Sequence, residues 1–193
     1  MTKKMLVVLL FLLMSVGGGF AQTWYSSYAP GIDSSKVFIN AGVGLGLTPI
    51  GYLPGVPPIS VSADFKLPVK VPITIGGTAT ISTRGQSSGS GDYKIDISYI
   101  NLGFGVRGAW HFNFIKNLDT YLGLTLGYVI QTADVKYGKA YENSYKPTYD
   151  GVSFFLYGFN IGARYFFTKN IGAYFEIGYS GLQIGGIGLS LKF

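Results

Sequence analysis

The sequence predicts an all-β fold: a transmembrane, antiparallel, up-and-down β-barrel of eight strands. Three observations carry that expectation. From residue 36 almost to the end, apolar side chains alternate with small or polar ones at a period of two. That period puts successive side chains on opposite faces of a strand. The apolar face carries no charge. Finally, charged residues make up 12% of the chain against 48% hydrophobic, too few to coat a soluble surface. No apolar run reaches the roughly 18 to 20 residues that a membrane helix needs.

The first element is a leader. Lys3 and Lys4 precede an apolar run from Met5 to Val16, which Gly17, Gly18 and Gly19 break. Gly19 and Ala21 place small residues at the −3 and −1 positions of a cleavage site. Residues 1–21 therefore read as a Sec signal peptide. Residues 22–35 are an N-terminal periplasmic segment, and 36–193 the barrel domain.

Eight strands are expected at 36–47, 59–67, 72–83, 95–112, 119–133, 152–167, 171–180 and 182–193. Most are long enough for a tilted membrane strand of about 9 to 11 residues. Their apolar face includes Val43, Val61, Ile75, Phe104, Leu124, Phe159, Phe175 and Leu189. Their other face holds Asn40, Asp64, Thr74, Asn101, Arg107, Thr125, Asn160, Arg164, Glu176 and Ser190. Gly, Thr, Ser and Asn are a poor coat for a soluble barrel and suit a narrow interior. An apolar, uncharged face suits lipid.

The links order the strands. Those at 68–71, 113–118 and 168–170 are short. Those at 48–58, 84–94 and 134–151 are longer and rich in Gly, Pro, Ser and Tyr. Alternating short and long links match short periplasmic turns and longer outer loops. An even strand number leaves both termini periplasmic. Trp110, Phe112, Tyr165, Phe167 and Phe193 then form an aromatic girdle at that side.

A signal peptide, about eight alternating strands and the final strand Gly188-Leu189-Ser190-Leu191-Lys192-Phe193 resemble the small outer-membrane barrels of the OmpX and OmpA-barrel type. The resemblance covers residues 36–193. It implies a bacterial outer-membrane location. It also implies that Phe193 closes the signal read by the barrel-assembly machinery. Barrels of this type carry an internal ion-pair network, which implies that the inward charges Asp64, Lys66, Arg107, Arg164 and Glu176 form one. Asp64 and Glu176 are expected to meet Arg107 and Arg164, because a buried charge is costly without a partner.

Other chemistry finds little footing. With no Cys in the chain, disulfides, thiolate metal sites and cysteine nucleophiles are excluded. One His makes no metal constellation, and no cofactor is expected. A net charge of +6 that is dispersed along the chain does not point to nucleic acid. His111 is a candidate general base only if Asp119 from the next strand orients it, and no Ser sits nearby in its strand. Gly103-Phe-Gly-Val-Arg-Gly108 spells a dinucleotide fingerprint but lies inside a strand with no helix after it. In the loop 134–151, Tyr137, Tyr141, Tyr145 and Tyr149 interleave with Lys136, Lys139 and Lys146. They are the candidates for contact with a host or surface polymer.

The expected function is a non-enzymatic barrel with a structural, envelope-integrity or surface-adhesion role, monomeric and bound to outer-membrane lipid. A narrow passive porin-like channel is the alternative, and a lipid-modifying enzyme the second. An eight-stranded barrel is only wide enough for side chains to fill.

Overall fold

The computed structural model describes residues 36–46, 53–69, 71–141 and 151–193. The expected leader and the segment 22–35 lie outside the described residues, as do Tyr145 and Tyr149. The strands are β1 (Val37–Gly46), the two-residue β2 (Leu53–Pro54), β3 (Ile59–Lys66), β4 (Ile73–Ser88), β5 (Ile95–Ile115), β6 (Leu118–Tyr137), β7 (Phe154–Phe166), β8 (Ile171–Tyr179) and β9 (Gln183–Lys192). β2 pairs only with Arg84 and Gly85 of β4. The other eight pair antiparallel with their chain neighbours, and β1 closes on β9. The result is the expected eight-stranded up-and-down barrel. Closure satisfies the backbone of every strand laterally, which lipid demands.

The faces fall as the alternation requires. Leu45 is 70% exposed, Phe159 50% and Leu189 60%, all outward, while Asn40 is 2% exposed and Arg164 0%. The outward belt is apolar, and the interior of the described residues is the lumen. At the end where residues 36 and 193 meet, the links are short. Tyr165, Phe167, Phe114 and Phe193 stand exposed there, and Trp110 stacks on Phe112.

Three links differ from expectation. Residues 84–88 are strand, paired with 95–99 from Arg84↔Tyr99 to Ser88↔Ile95. Only 89–94 turns, through a 3-10 turn at Gly91–Tyr93. β6 likewise continues to Tyr137, opposite Ile95. β5 and β6 run 21 and 20 residues, about twice a membrane strand. In residues 84–88 pairing continues while the apolar alternation stops, whereas in β5 and β6 the alternation continues and shifts phase, with Ile95, Ile97, Val135 and Tyr137 out of phase with Leu102 and Ile130. The link expected at 113–118 shrinks to Lys116 and Asn117. Asn117 sits at φ 68, a left-handed conformation that Asn tolerates better than most residues. In β9 the register skips Ile184 between Leu45↔Gly185 and Gly46↔Gln183. This bulge lets both Ile184 and Ile187 face outward, 45% and 58% exposed.

Gly162 shows why the inner face is so small. It faces Tyr121 directly across β6 and β7, and a Cβ there would lie 2.3 Å from Tyr121 Cζ. The ring therefore lies flat over the Gly162 backbone. Gly162→Ala should cost about 1–3 kcal/mol by overpacking, and Tyr121→Leu added to it should recover part of the loss. Thermal midpoints of the refolded barrels check this. An unchanged midpoint for the single variant would show that Tyr121 has room to move.

Candidate functional site

The inward charges gather on the lumen axis toward the short-turn end. Alternation delivers them there: Asp64 on β3, Arg107 on β5, Asp119 on β6, Arg164 on β7 and Glu176 on β8 all hold inward phase. Asp64 lies at the centre. Its Oδ1 is 3.2 Å from Arg107 Nε, and its Oδ2 accepts from Arg164 Nη2. Arg107 Nη2 donates to Glu176 Oε1 at 2.8 Å. Arg164 Nη1 donates to Asp119 Oδ2 at 3.2 Å. Tyr121 donates its hydroxyl to Glu176 Oε1 at 2.6 Å. The Arg164 guanidinium lies 4.4 Å over the Tyr121 ring and 4.9 Å over Phe38.

Arg107 and Arg164 thus face Asp64, Asp119 and Glu176, so every buried charge in the cluster has an opposite neighbour. Buried charges persist only under that condition. The structure brings together Asp64, Arg107, Arg164 and Glu176 of the expected set. Lys66 sits half-exposed at the rim, opposite Thr74. Arg164 pairs with Asp64 and Asp119, and Glu176 pairs with Arg107.

Asp119, Tyr121, Phe38 and Phe166 were not among the expected network residues, yet the first three touch Arg164. All four hold inward phase, and that is the signal that marks them. His111 is 1% exposed. Its Nδ1 meets Asp119 Oδ1 at 2.8 Å and its Nε2 meets Thr74 Oγ1 at 2.9 Å. A carboxylate only accepts, so Nδ1 carries a proton and donates to Asp119. The order Thr–His–Asp echoes a nucleophilic triad. But Thr74 is 1% exposed and Asp119 spends its other oxygen on Arg164. The ring also stacks on Phe38 at 6.0 Å. The geometry orients a histidine and offers a substrate no approach to it.

Above the charges lies a polar cavity of about 40 Å³, bordered by Ser60, Thr78, Thr125, Asn160, Tyr174 and Gln183. That exceeds the roughly 10–15 Å³ one water needs, and its lining is polar. Toward the loop end, Val129, Leu156 and Leu182 form an apolar cluster. Aromatic and ionic side chains therefore fill the lower lumen, while the upper lumen mixes this aliphatic cluster with the hydrogen-bonded row Ser82, Asn101 and Gln131.

The loop end carries the second candidate surface. Tyr141 packs on Tyr137 at 5.8 Å and edge-on to Tyr93 at 6.4 Å. Exposed Lys94, Lys136 and Lys139 surround them, but so do Asp92, Asp96 and Asp134. Asp96 pairs with Lys94 at 2.9 Å. The Ser87 hydroxyl bonded to Asp96, with Lys94 beside it, holds its carboxyl below the ordinary value. The described part of this surface is thus aromatic with balanced charge.

No protein-family model and no curated protein matches the sequence. Among solved structures, the chain is similar to the N-terminal β-barrel domain of Pseudomonas aeruginosa OprF, with TM-score 0.48 and 14% identity over 82% of this chain and 98% of that one. Neisserial surface protein A gives TM-score 0.48 and 15% identity over 81% and 96%. Ail, the attachment invasion locus protein of Yersinia pestis, solved in complex with the heparin analogue sucrose octasulfate, gives 0.45 and 13% over 82% and 94%. Likeness at this level says nothing of shared chemistry.

Proposed function

We propose that this protein is a non-enzymatic barrel of the bacterial outer membrane with a structural, envelope-integrity or surface-adhesion role. The filled lumen carries the reading: Arg164 and Phe38, both 0% exposed, occupy the axis where a channel would need water. In this reading the short-turn end faces the periplasm after Sec export and cleavage behind Ala21. The β4–β5–β6 extension then stands outside the cell. Five strand residues beyond the barrel add about 17 Å of reach, which lifts Tyr93, Tyr137 and Tyr141 clear of the headgroups. Clustered tyrosines give rigid contact area at low entropic cost, so the extension is the candidate surface for a host or surface polymer. Tyr145 and Tyr149 belong to the same proposal from sequence. The barrel works as a monomer, in contact with outer-membrane lipid, and meets the barrel-assembly machinery during biogenesis.

Planar-bilayer recording of the purified, refolded barrel is the test. No stable openings are expected. Well-defined unitary conductance from pure protein would overturn the reading in favour of a passive channel. The protein extracted from cell envelopes should have a mass that begins at Gln22. A mass beginning at Met1 would refute cleavage.

A further inference from the structure

Between the ion pairs and the aliphatic cluster, the lumen holds the polar cavity of about 40 Å³. Arg107 and Glu176, joined at 2.8 Å, border it on the side of the ion pairs. Beyond them toward the short-turn end, Asp64 and Arg164 are both 0% exposed. Leu156 borders it on the other side and belongs to the cluster with Val129 and Leu182. Glycine gives the chamber its room. Asn160 stands opposite Gly123 on β6 and Gly178 on β8. Gly178, Gly103 and Gly185 all border the cavity. At Gly178, with φ +146, a Cβ would lie 2.1 Å from Phe159 O, so no side chain can stand there.

Two residues at this border keep polar atoms that the protein does not satisfy. Among the described residues, Asn160 Nδ2 and Gln183 Oε1 are buried and have no hydrogen-bond partner in the protein. The residues are 7% and 8% exposed. One atom is a donor and the other an acceptor. A buried polar group without a partner is costly, and folded proteins keep few of them. Here two meet at one chamber. The hydroxyls of Ser60, Thr80 and Thr125 border it as well, and a hydroxyl rotates to donate or accept. Charge and size narrow the occupant. Arg107 and Glu176 neutralise each other at the border, which leaves little to draw an ion. The lining repels an apolar molecule, and the volume admits nothing larger than a few waters.

We propose that this chamber is a water site, which binds a cluster of about three ordered molecules at roughly 10–15 Å³ each. One water accepts from Asn160 Nδ2, and another donates to Gln183 Oε1. The hydroxyls link them. Glu176 anchors the cluster through lone pairs that its bonds from Arg107 and Tyr121 leave over. The polar inner face at this level is thus matched to bound water, and an apolar filling would not serve in its place. The inference needs only the closed lumen. A dry chamber would leave the non-conducting reading standing, and unitary conductance would overturn that reading without drying the chamber.

Asn160 is the place to test it. Leucine has nearly the shape of asparagine and no polar atom, so Asn160→Leu removes the donor without changing the filling. In a dry chamber that change removes an unsatisfied group and raises stability. In a hydrated one it strips a bond from the cluster, and the urea midpoint of the refolded barrel should fall by about 0.5 M. An unchanged or raised midpoint overturns the proposal. Should Asn160→Leu not fold, Thr125→Val poses the same question with the same sign. The wild-type barrel gives a measurement that needs no variant. A crystal structure that shows ordered solvent should place a water about 2.9 Å from Asn160 Nδ2 and another at that distance from Gln183 Oε1. An empty chamber overturns the proposal. So does an ion or additive in it, or an Asn160 amide turned to bond Gln183 directly.

Discussion

Asp64→Asn should destabilise the refolded barrel by about 3–5 kcal/mol, the cost of breaking a buried ion pair by removing one partner. Asp64 is 0% exposed and bonded to both buried arginines. Its removal leaves two guanidinium groups facing only Asp119 and Glu176. Asparagine keeps the volume, so the loss reads charge rather than packing. Glu176→Gln should cost less. Its side chain is 12% exposed and borders the polar cavity, where water can solvate an orphaned Arg107. Urea midpoints in a fixed detergent give both values. Double-mutant cycles then assign partners. Asp64→Asn should couple with Arg164→Met, and Glu176→Gln with Arg107→Met, each by more than about 0.5 kcal/mol. Glu176→Gln and Arg164→Met should add more nearly. The opposite ranking would mean that Arg164 and Glu176 form the working pair and that Arg107 does not.

That ranking also marks where sequence reasoning reaches its limit. Counting outward from the turn at Thr168-Lys169-Asn170 places Glu176 opposite Gly162, and the structure pairs them. Register along one hairpin is thus legible, because it follows from turn length and alternation. The same count makes Arg164 the diagonal neighbour of Glu176 and suggests that they pair. They do not, because the lumen offers Arg164 nearer acids from elsewhere. Asp64 sits on β3, which is not a sheet neighbour of β7. Contacts across the lumen depend on how far the closed sheet curls and tilts, and no local pattern in the chain reports that. Asp119 was legible as the acid for His111. Its second oxygen reaching Arg164 was not.

The loop end failed in a different way. Arg84-Gly-Gln-Ser-Ser88 has no apolar alternation and reads as a link, yet it is paired strand. Alternation is a signature of having one dry face, not of being a strand. In residues 84–88 of β4 both faces are polar, and the signal vanishes while the hydrogen bonds to 95–99 continue. The inward aromatics were hidden by the same logic reversed. Phe38, Tyr121 and Phe166 are apolar residues in the polar phase, and a reading that sorts by chemistry rather than position overlooks them.

Phe193→Ala should lower the amount of folded barrel in cells several-fold while moving the midpoint of the detergent-refolded barrel by less than about 1 kcal/mol. The structure supplies the second half of that expectation. Phe193 N donates to Val37 O at 3.0 Å, and Phe193 O accepts from Lys36 N and Val37 N. These bonds extend the β1–β9 seam that closes the barrel, and they belong to the backbone, so alanine keeps them. The ring itself is 60% exposed and outward. It therefore gives up little packing when truncated, and surface substitutions of that kind usually move stability by about 0.5 kcal/mol or less. The first half rests on the proposal that the barrel-assembly machinery reads the strand Gly188–Phe193, whose alternation ends on an aromatic residue. The two measurements separate the roles. Normal insertion in cells by Phe193→Ala would show that the ring carries no assembly signal here. A large loss in the refolded protein would show instead that the ring holds the seam, as a residue buried against lipid or detergent would.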